Sequence, residues 1–470
     1  MSISEAAIST LRETLVSSVI FTPHDEGYAD ALRRWSDTGA KPAAIVIQPT
    51  EVKDVVTALG WAQDHHIDLA IKCGGHSVSG TSSSNGGLVI DLSRMKNVTV
   101  DTIKKTVTVG GGATWKDVDE AAAEHGLAAV GGTVNHTGVG GLTLGGGYGW
   151  LSGMYGLTID NLLAATVVLA NGEVVKASAT ENADLFWGLR GAGYNFGVVV
   201  EFTFQAYEQR NLVYAGIVAY TPDKVESVIG ILNTLLLDNP DPRSGAMCIF
   251  ARPPGAPVPM VNVLVFYNGS KEEGDARFTD LLDLNPVVNM IDMIPYSQLN
   301  SLQNPMATYG GRKSFKGVFF NPPLEPIFAK TLLSDFTAKV QSDPDLGASG
   351  IILEFYDMTK TLEVPRSATA FASRGSTQNG IITLRWTDES KDLEHRAWAR
   401  EVQDRWKVNL DAAKVDVKGK ADVPQYINYA EPGDSVVSNI YGENLERLKQ
   451  LKAKYDPTNV FCKMHPIRLG

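Results

Sequence analysis

The sequence has few cysteines and no long apolar run, and both absences narrow the classes of protein that fit it. Only Cys73, Cys248 and Cys462 occur among 470 residues, without paired spacing, which predicts free thiols in a reducing compartment. No window reaches the ~20 apolar residues that a membrane-spanning helix needs. Residues 1–23 mix charges into a modestly apolar stretch and lack the pattern of a secretory signal. We therefore expect an intracellular, cytoplasmic protein without a membrane partner.

An excess of positive charge is also missing. The formal net charge is -11, whereas nucleic acids and anionic membranes favour clustered Lys and Arg. We therefore expect no nucleic-acid partner. The 44% hydrophobic and 20% charged fractions are ordinary for a globular protein. A chain of 470 residues exceeds what one hydrophobic core usually supports, so two or more packed units are expected.

The residue patterns of several enzyme classes are absent as well. There is no G-x-x-x-x-G-K-[ST], H-E-x-x-H, paired C-x-x-C or G-x-S-x-G segment, so nucleotide hydrolysis, zinc chemistry and serine esterase chemistry lack their usual residues. His136, His395 and His465 do not have metal-ligand spacing, so no metal site is implied. Thr143 stands where a third glycine would complete a Rossmann fingerprint, which disfavours that phosphate site.

What the sequence does contain is a dense glycine segment. Nine of the nineteen residues from 131 to 149 are glycine, which is costly in backbone entropy unless a ligand or another chain segment approaches closely. Successive N–H groups in such a groove can bind an anion such as a diphosphate. Glycine content alone leaves a flexible surface loop equally open.

Local patterns predict an α+β protein. The clearest are an amphipathic helix after Thr50, a capping box of Thr114 and Asp117, and a hairpin whose Asn171-Gly172 pair suggests a type I′ turn. The pattern of predicted elements changes near residue 208, after which longer helices are predicted, including one from Pro222 to Leu237. A final helix is expected at residues 445–451, ended by Asp456-Pro457.

Five segments together resemble a known family. KCGGHS at 72–77, TGVGGLTLGGGYGWLSGMYGLTIDNL at 137–162 and LRGAGYNFGVVVEF at 189–202 resemble the p-cresol methylhydroxylase-type FAD domain of the vanillyl-alcohol oxidase superfamily. YINY at 426–429 and YGENLERLKQLKAKYDPTNVF at 441–461 resemble the end of its berberine bridge enzyme-like branch. The resemblance implies a two-part FAD-binding domain (1–207), a substrate domain with a large antiparallel sheet covered by helices (208–423), and a C-terminal segment (424–470) that returns to the first domain.

The same resemblance implies how FAD is held. The histidine of the family's GGH motif bonds the flavin 8α carbon, and it matches His76. Val134 stands where many relatives carry a second, cysteine link, so we predict a single covalent bond. The remaining flavin contacts that the resemblance implies are Lys72, Cys73, Gly74, Gly75, Ser77, Gly80, Thr133, His136, Thr137, Gly138, Gly140, Gly141, Gly145, Gly146, Tyr148, Gly149, Asn195, Gly197, Val198 and Asn428.

Catalytic residues are also implied by the resemblance. Tyr429 matches the position at which related oxidases place a catalytic tyrosinate, and Arg385 is one possible cation to lower its pKa. The family's A-F-P-H-R segment stands here as AFASR at 370–374, which keeps Arg374 and lacks the histidine. The further candidates are Tyr426, Glu354, Tyr356, Gln378 and Asn379.

The implied activity is an FAD-dependent oxidase. A small organic substrate, such as an alcohol, sugar, phenol or alkaloid-like molecule, would pass hydride to the flavin, and O2 would reoxidise the flavin and give hydrogen peroxide. Two alternatives stay open: a dehydrogenase with another electron acceptor, and a flavoprotein with a redox-neutral or binding role. The sequence chooses neither the substrate nor the oligomeric state.

Overall fold

The computed structural model describes residues 3–412, 425–431 and 436–469, whose strands form three sheets. Sheets I and II lie in the first part of the chain, and sheet III begins at Val213. Hydrophobic clusters fill each part, and one further cluster lies between sheet III and the first part. The predicted α+β class with a large antiparallel sheet is confirmed.

Sheet I has four strands in the order β1-β2-β4-β3. β2 and β3 both run parallel to β4, and β1 pairs antiparallel with β2. Parallel neighbours end at the same edge of a sheet, so the loop after β3, which carries His76, starts beside the end of β4. The elements are α1 (Glu5–Thr14), β1 (Val19–Phe21), α2 (Tyr28–Leu32), β2 (Ile45–Gln48), α3 (Val52–Asp64), β3 (Leu69–Lys72) and β4 (Leu88–Asp91).

Sheet II is antiparallel, in the order β5-β6-β10-β8-β9 with β7 paired to β10. The glycine segment lies along the chain between β7 and β8. The elements are β5 (Val98–Asp101), β6 (Thr106–Gly110), α4 (Trp115–Ala123), β7 (Leu127–Ala129), α5 (Val139–Leu144), α6 (Ser152–Tyr155), β8 (Leu162–Val168), β9 (Val174–Ser178), α7 (Ala183–Ala192) and β10 (Val198–Glu208).

Most local predictions in these sheets are confirmed, with one correction. Thr114 and Asp117 form the predicted capping box at the start of α4. β8 and β9 form the predicted hairpin, but its turn is not type I′, since Gly172 has a positive φ of 82° and Asn171 does not. The Leu169 N–H donates to the Glu173 carbonyl at 2.9 Å, so the turn spans more residues than the two-residue type I′ turn.

Sheet III is antiparallel, in the order β14-β11-β13-β12-β17-β18-β16 with β15 paired to β11. The elements are β11 (Val213–Tyr220), α8 (Val225–Leu237), β12 (Ser244–Ala251), β13 (Met260–Tyr267), α9 (Lys271–Arg277), α10 (Thr279–Asp283), β14 (Val288–Asn289), β15 (Asp292–Ile294), α11 (Tyr296–Leu299), β16 (Arg312–Phe320), α12 (Pro326–Ser342), β17 (Gly350–Tyr356), α13 (Thr359–Leu362), β18 (Gln378–Trp386) and α14 (Asp392–Ala412). The predicted helix at 222–237 begins as a 3-10 turn and continues as α8.

The two faces of sheet III have different partners because side chains alternate along a strand. On β17, Leu353 and Phe355 pack in the cluster that includes α8 and α12, whereas Tyr356 packs in the cluster that faces the first part of the chain. Glu354 shares the face of Tyr356. The sheet therefore presents a polar side chain, Glu354, from its centre toward the first part.

The C-terminal residues pack against the first part of the chain. Helices α15 (Val437–Tyr441) and α16 (Leu445–Tyr455) contribute Tyr441, Leu448 and Leu451 to the core around sheet II. Buried Lys452 donates to the Asn195 carbonyl at 3.0 Å and to Asp456 at 2.7 Å, which fixes α16 beside β10. The predicted boundary between residues 423 and 424 lies outside the described residues.

Two sequence expectations concern the chain as a whole. The three cysteines are free, as predicted. Within residues 3–412, 425–431 and 436–469, no helix combines the length and apolar character needed to cross a bilayer.

Candidate active site

A cavity of about 1350 Å³ lies between sheet III and the first part of the chain. Pockets for one drug-sized ligand usually measure about 300–1,000 Å³, so this cavity has room for a large cofactor with a substrate beside it. Its walls come from the loop after β3, the glycine segment, the cavity face of sheet III, and the YINY and C-terminal segments.

His76 lines the cavity at the loop after β3. Its ring stacks on Trp35 with centroids 5.2 Å apart, and its Nε2 lies 2.7 Å from Nδ1 of His136. Burial, followed by the neighbouring His136 and Lys313, lowers the pKa of His76 to about 3. His76 is therefore a neutral imidazole near neutral pH, which is the nucleophilic form.

Lys313 supplies a positive charge beside this histidine. Its Nζ lies 4.3 Å from the centroid of the Trp35 ring and donates to the Trp35 carbonyl and, at 2.6 Å, to the Gly310 carbonyl. Burial lowers the pKa of Lys313 to about 8. No sequence pattern singles out Trp35 or Lys313, because they come from distant segments that meet only in the fold.

A row of free N–H groups follows His76. The N–H groups of residues 75–79 donate to no acceptor among the residues that the structure describes. Gly75 has a φ of +69°, which turns the chain so that successive N–H groups can converge on an anion. This loop fits the diphosphate of a dinucleotide. The sequence pointed instead to the glycine segment, where N–H groups at Thr137, Val139, Leu142, Gly146 and Gly147 already have acceptors.

The glycine segment packs closely against the loop after β3 and leaves part of the cavity wall free of side chains. A Cβ on Gly138 would overlap the Gly74 backbone, so these two loops touch main chain to main chain. A Cβ on Gly141 would meet nothing within 4 Å, and Gly141 lines the cavity. A flat ring system can therefore lie against this backbone. The buried Ser82 Oγ, also on the cavity wall, has no protein partner in the described structure and can serve a polar ligand atom.

Tyr426 and Asn428 of the YINY segment fasten this segment to the glycine segment. The Tyr426 hydroxyl accepts from the Gly147 N–H at 3.1 Å and from Asn428 Nδ2 at 2.9 Å. Asn428 Nδ2 also donates to the Leu142 carbonyl at 2.9 Å. Burial raises the pKa of Tyr426 above its usual value. Tyr426 is therefore a hydrogen-bonded anchor as well as part of the cavity wall.

Tyr429 and Glu354 form the polar pair of the sheet III wall. The Tyr429 hydroxyl donates to Glu354 Oε1 at 2.8 Å, and both residues line the cavity. Glu354 Oε2 has no partner among the described residues. Burial raises the pKa of the Glu354 carboxyl to about 7, against hydrogen bonds from Tyr429 and Asn379 that lower it. This carboxyl can therefore exchange a proton near neutral pH.

The structure departs from the expectation of a tyrosinate activated by Arg385. Burial, then the charge of Glu354, raises the pKa of Tyr429 well above its usual value. The Arg385 guanidinium donates to Thr308. Gly317 packs on Tyr429 and pairs with Ile381 across β16 and β18. Arg385 lies four residues beyond Ile381 on β18, which places its backbone about 13 Å further along the strand at ~3.3 Å per residue. Arg385 lines another part of the cavity and is not the cation beside Tyr429.

Three other candidates from sheet III do not line the cavity. Gln378 both accepts from the Tyr356 N–H and donates to the Tyr356 carbonyl, at 2.9 Å each, so its amide joins β17 to β18. Tyr356 packs edge-on to Trp150 and has no hydroxyl partner in the described structure. Asn379 lies near Glu354 and lowers the pKa of its carboxyl.

The structure brings most of the predicted flavin contacts to one cavity. Those on the cavity wall are His76, Cys73, Gly74, Gly75, Ser77, Thr133, Thr137, Gly138, Gly140, Gly141, Tyr148, Gly197, Val198 and Asn428. His136 does not line the cavity but contacts His76 at 2.7 Å. Lys72 is instead paired with Asp91 at 2.8 Å, and Asn195 with Tyr441 at 3.0 Å. The others that do not line it are Gly80, Gly145, Gly146 and Gly149.

Parts of the cavity wall were not predicted from the sequence. The serine-rich stretch after the GGH motif, with Val78, Ser79, Thr81 and Ser82, was a signal that could have been read as an extension of the glycine loop. The apolar side chains of sheet III carried no such signal, because any buried strand has them.

Comparison with known families gives two matches. Residues 43–178 match the FAD binding domain model, and residues 425–468 match the model called berberine and berberine like. The FAD-linked oxidoreductase pgmH of Aspergillus terreus is 34% identical, with 99% of this chain and 96% of that protein covered. The FAD-linked oxidoreductase hasG of Aspergillus fumigatus is 32% identical, with 96% and 97% covered.

Solved structures share the fold over almost the whole chain. The 6-hydroxy-D-nicotine oxidase of Arthrobacter nicotinovorans superposes with a TM-score of 0.81 at 25% identity, covering 96% of this chain and 98% of that one. Glucooligosaccharide oxidase of Acremonium strictum, described with a 6-S-cysteinyl, 8α-N1-histidyl FAD, gives a TM-score of 0.83 at 22% identity and 99% coverage of both chains.

Proposed function

This chain belongs to the berberine-like family of FAD-linked oxidoreductases, and from that membership we propose that it is an oxidase that holds FAD covalently through His76. In the proposed reaction, hydride leaves a small hydroxyl-bearing substrate and O2 is the final acceptor, with hydrogen peroxide as product. The observation that carries the proposal is a single cavity with a neutral, nucleophilic histidine on one wall and the Tyr429–Glu354 pair on another.

The cofactor side of the cavity supports FAD. His76 would hold the flavin, the free N–H groups of residues 75–79 would bind the diphosphate, and the open backbone at Gly141 would leave space for the ring. Val134, which also lines the cavity, has no nucleophilic atom, and this supports a single link. When bound, FAD supplies the two-electron acceptor that no side chain provides.

The substrate side supports proton removal by a pair of residues. The substrate hydroxyl would give its proton to Tyr429 Oη as Tyr429 gives its own to Glu354, so no free tyrosinate has to form. The pKa of Glu354, about 7, matches a proton acceptor that works near neutral pH. Tyr429 and Glu354 are therefore the proposed catalytic residues.

The wall around this pair favours an apolar substrate body. Met247, Ile249, Ile352 and Ile381 line the cavity from β12, β17 and β18. Such side chains bury apolar surface and leave the hydroxyls of a sugar without hydrogen-bond partners. We therefore propose an alcohol or phenol with an apolar or aromatic body rather than an oligosaccharide.

The proposed reaction can be tested by following oxygen and peroxide together. We expect benzylic and other apolar alcohols to bleach the flavin without oxygen, and the colour to return in air with one peroxide formed for each substrate molecule oxidised. Cello-oligosaccharides should give little bleaching. The measurement combines anaerobic absorbance with an oxygen electrode and a peroxide assay.

Two results would contradict parts of this proposal. Bleaching that air does not reverse, but a dye does, would make the protein a dehydrogenase. Fast bleaching by oligosaccharides, with none by apolar alcohols, would overturn the substrate class and leave the oxidase reaction standing.

A further inference from the structure

His76 and His136 are joined by a hydrogen bond that bears on the covalent link. His76 Nε2 and His136 Nδ1 are 2.7 Å apart, so one of the two nitrogens carries the proton between them. Tyr309 packs against both rings, with centroids 5.9 Å from that of His76 and 5.1 Å from that of His136. The pair is therefore held in place, and the position of its proton decides which nitrogen of His76 has a free lone pair.

The two possible positions of that proton have different consequences for His76. If Nδ1 of His136 carried it, His76 Nε2 would be the acceptor, the proton of a neutral His76 would be on Nδ1, and neither nitrogen of His76 would have a free lone pair. If His76 Nε2 carries it, Nδ1 of His136 is the acceptor and Nδ1 of His76 is unprotonated. A covalent link from a neutral His76 that keeps its 2.7 Å bond to His136 therefore requires the second position.

We propose that His136 is a positioning residue for flavin attachment, which accepts the Nε2 proton of His76 and so leaves Nδ1 of His76 free to bond the flavin 8α carbon. This inference rests on the proposed function, since it needs a covalent link at His76. It adds a role that the sequence motif does not contain, because His136 lies 60 residues from His76 and meets it only in the fold.

The attachment balances with O2 as the co-reactant. One C–H bond of the 8α methyl group breaks and a bond from the 8α carbon to His76 Nδ1 forms. The methyl proton is released, and the Nε2 proton of His76 passes to His136 Nδ1. The electron pair of the broken C–H bond is taken up by the flavin and passes to O2, which becomes hydrogen peroxide with the two protons.

The test measures how fast the link forms in variants of residue 136. The full chain is produced and purified without oxygen and with ample riboflavin, then exposed to air and precipitated with acid at intervals; flavin is measured in pellet and supernatant. In His136→Leu we expect linkage at least about 100-fold slower than in wild type, the lower bound for losing a positioned proton acceptor. In His136→Asn, whose amide oxygen can accept near the place of Nδ1, we expect a rate within about tenfold of wild type.

The outcomes separate the inference from the proposed function. Yellow, non-covalently bound FAD before exposure to air shows that a variant is folded, and His136→Ala replaces His136→Leu if the latter takes up none. Linkage at the wild-type rate in His136→Leu, or linkage equally slow in His136→Asn, would overturn the role of His136. A wild-type protein whose flavin never stays in the pellet would instead refute the covalent bond in the proposed function.

Discussion

Replacing Tyr429 with phenylalanine is expected to slow anaerobic flavin reduction by about 10²–10⁴-fold, the usual contribution of a positioned proton acceptor. The change removes the hydroxyl that connects the substrate to Glu354 and keeps the ring, which packs 4.7 Å from the ring of Tyr426. The FAD content should stay at the wild-type level, because the hydroxyl of Tyr429 does not fasten the glycine segment. Stopped-flow absorbance of the bound flavin measures the rate.

The chain offers a matched control for this variant. Tyr214 is a buried tyrosine that donates to Asp275 at 3.0 Å on the opposite face of sheet III, so Tyr214→Phe removes a similar bond away from the cavity. We expect unchanged flavin reduction and a loss of about 1 kcal/mol in the free energy of unfolding. Equal rates for wild type and Tyr429→Phe would remove Tyr429 from the mechanism.

The pH dependence of the same reaction should identify Glu354. Only the ionised carboxyl accepts a proton, so the wild-type rate is expected to rise with pH up to an apparent pKa near 7 and to level off above it. Glu354→Gln keeps the size and removes the acceptor. This variant should lose the rising limb and react about 10²–10⁴-fold more slowly than the wild-type plateau.

The pH profile of Glu354→Gln can contradict the role of Glu354. A Glu354→Gln protein that keeps a rising limb near pH 7 would show that another group controls it. Glu201→Gln, on β10 at an exposed position, is the control for a change of net charge by one, and its profile should match that of wild type.

The sequence predicted the elements that depend on local chemistry. The capping box of Thr114 and Asp117 predicted the start of α4, because side chains only three residues apart form it. The predicted type of the turn between β8 and β9 was wrong, because a hydrogen bond outside the Asn171-Gly172 pair decides the length of that turn. Asn171-Gly172 suits a type I′ turn, but the bond from Leu169 to Glu173 favours a longer loop.

The motifs of the site could be predicted from the sequence, but the contacts between their side chains could not. The motif resemblance identified His76 and Tyr429 as candidates. The partner of Tyr429, Glu354, could not be identified in this way, because their contact depends on how β17 lies against the YINY segment. The pairing of the sheet III strands also places the Gln378 amide on the backbone of Tyr356 and places Arg385 away from Tyr429. The His76–His136 pair is likewise a contact of two loops, 2.7 Å apart, that no spacing along the chain indicates.

The central claim, FAD bonded to His76, is tested most directly by mass spectrometry of the tryptic digest of protein produced with ample riboflavin. Cleavage after Lys72 and Arg94 gives a peptide of residues 73–94 with one histidine, His76. We predict that this peptide carries the flavin mass and that His76→Ala releases all flavin on denaturation. A colourless protein, or a flavin attached to the peptide that contains Val134, would contradict the account.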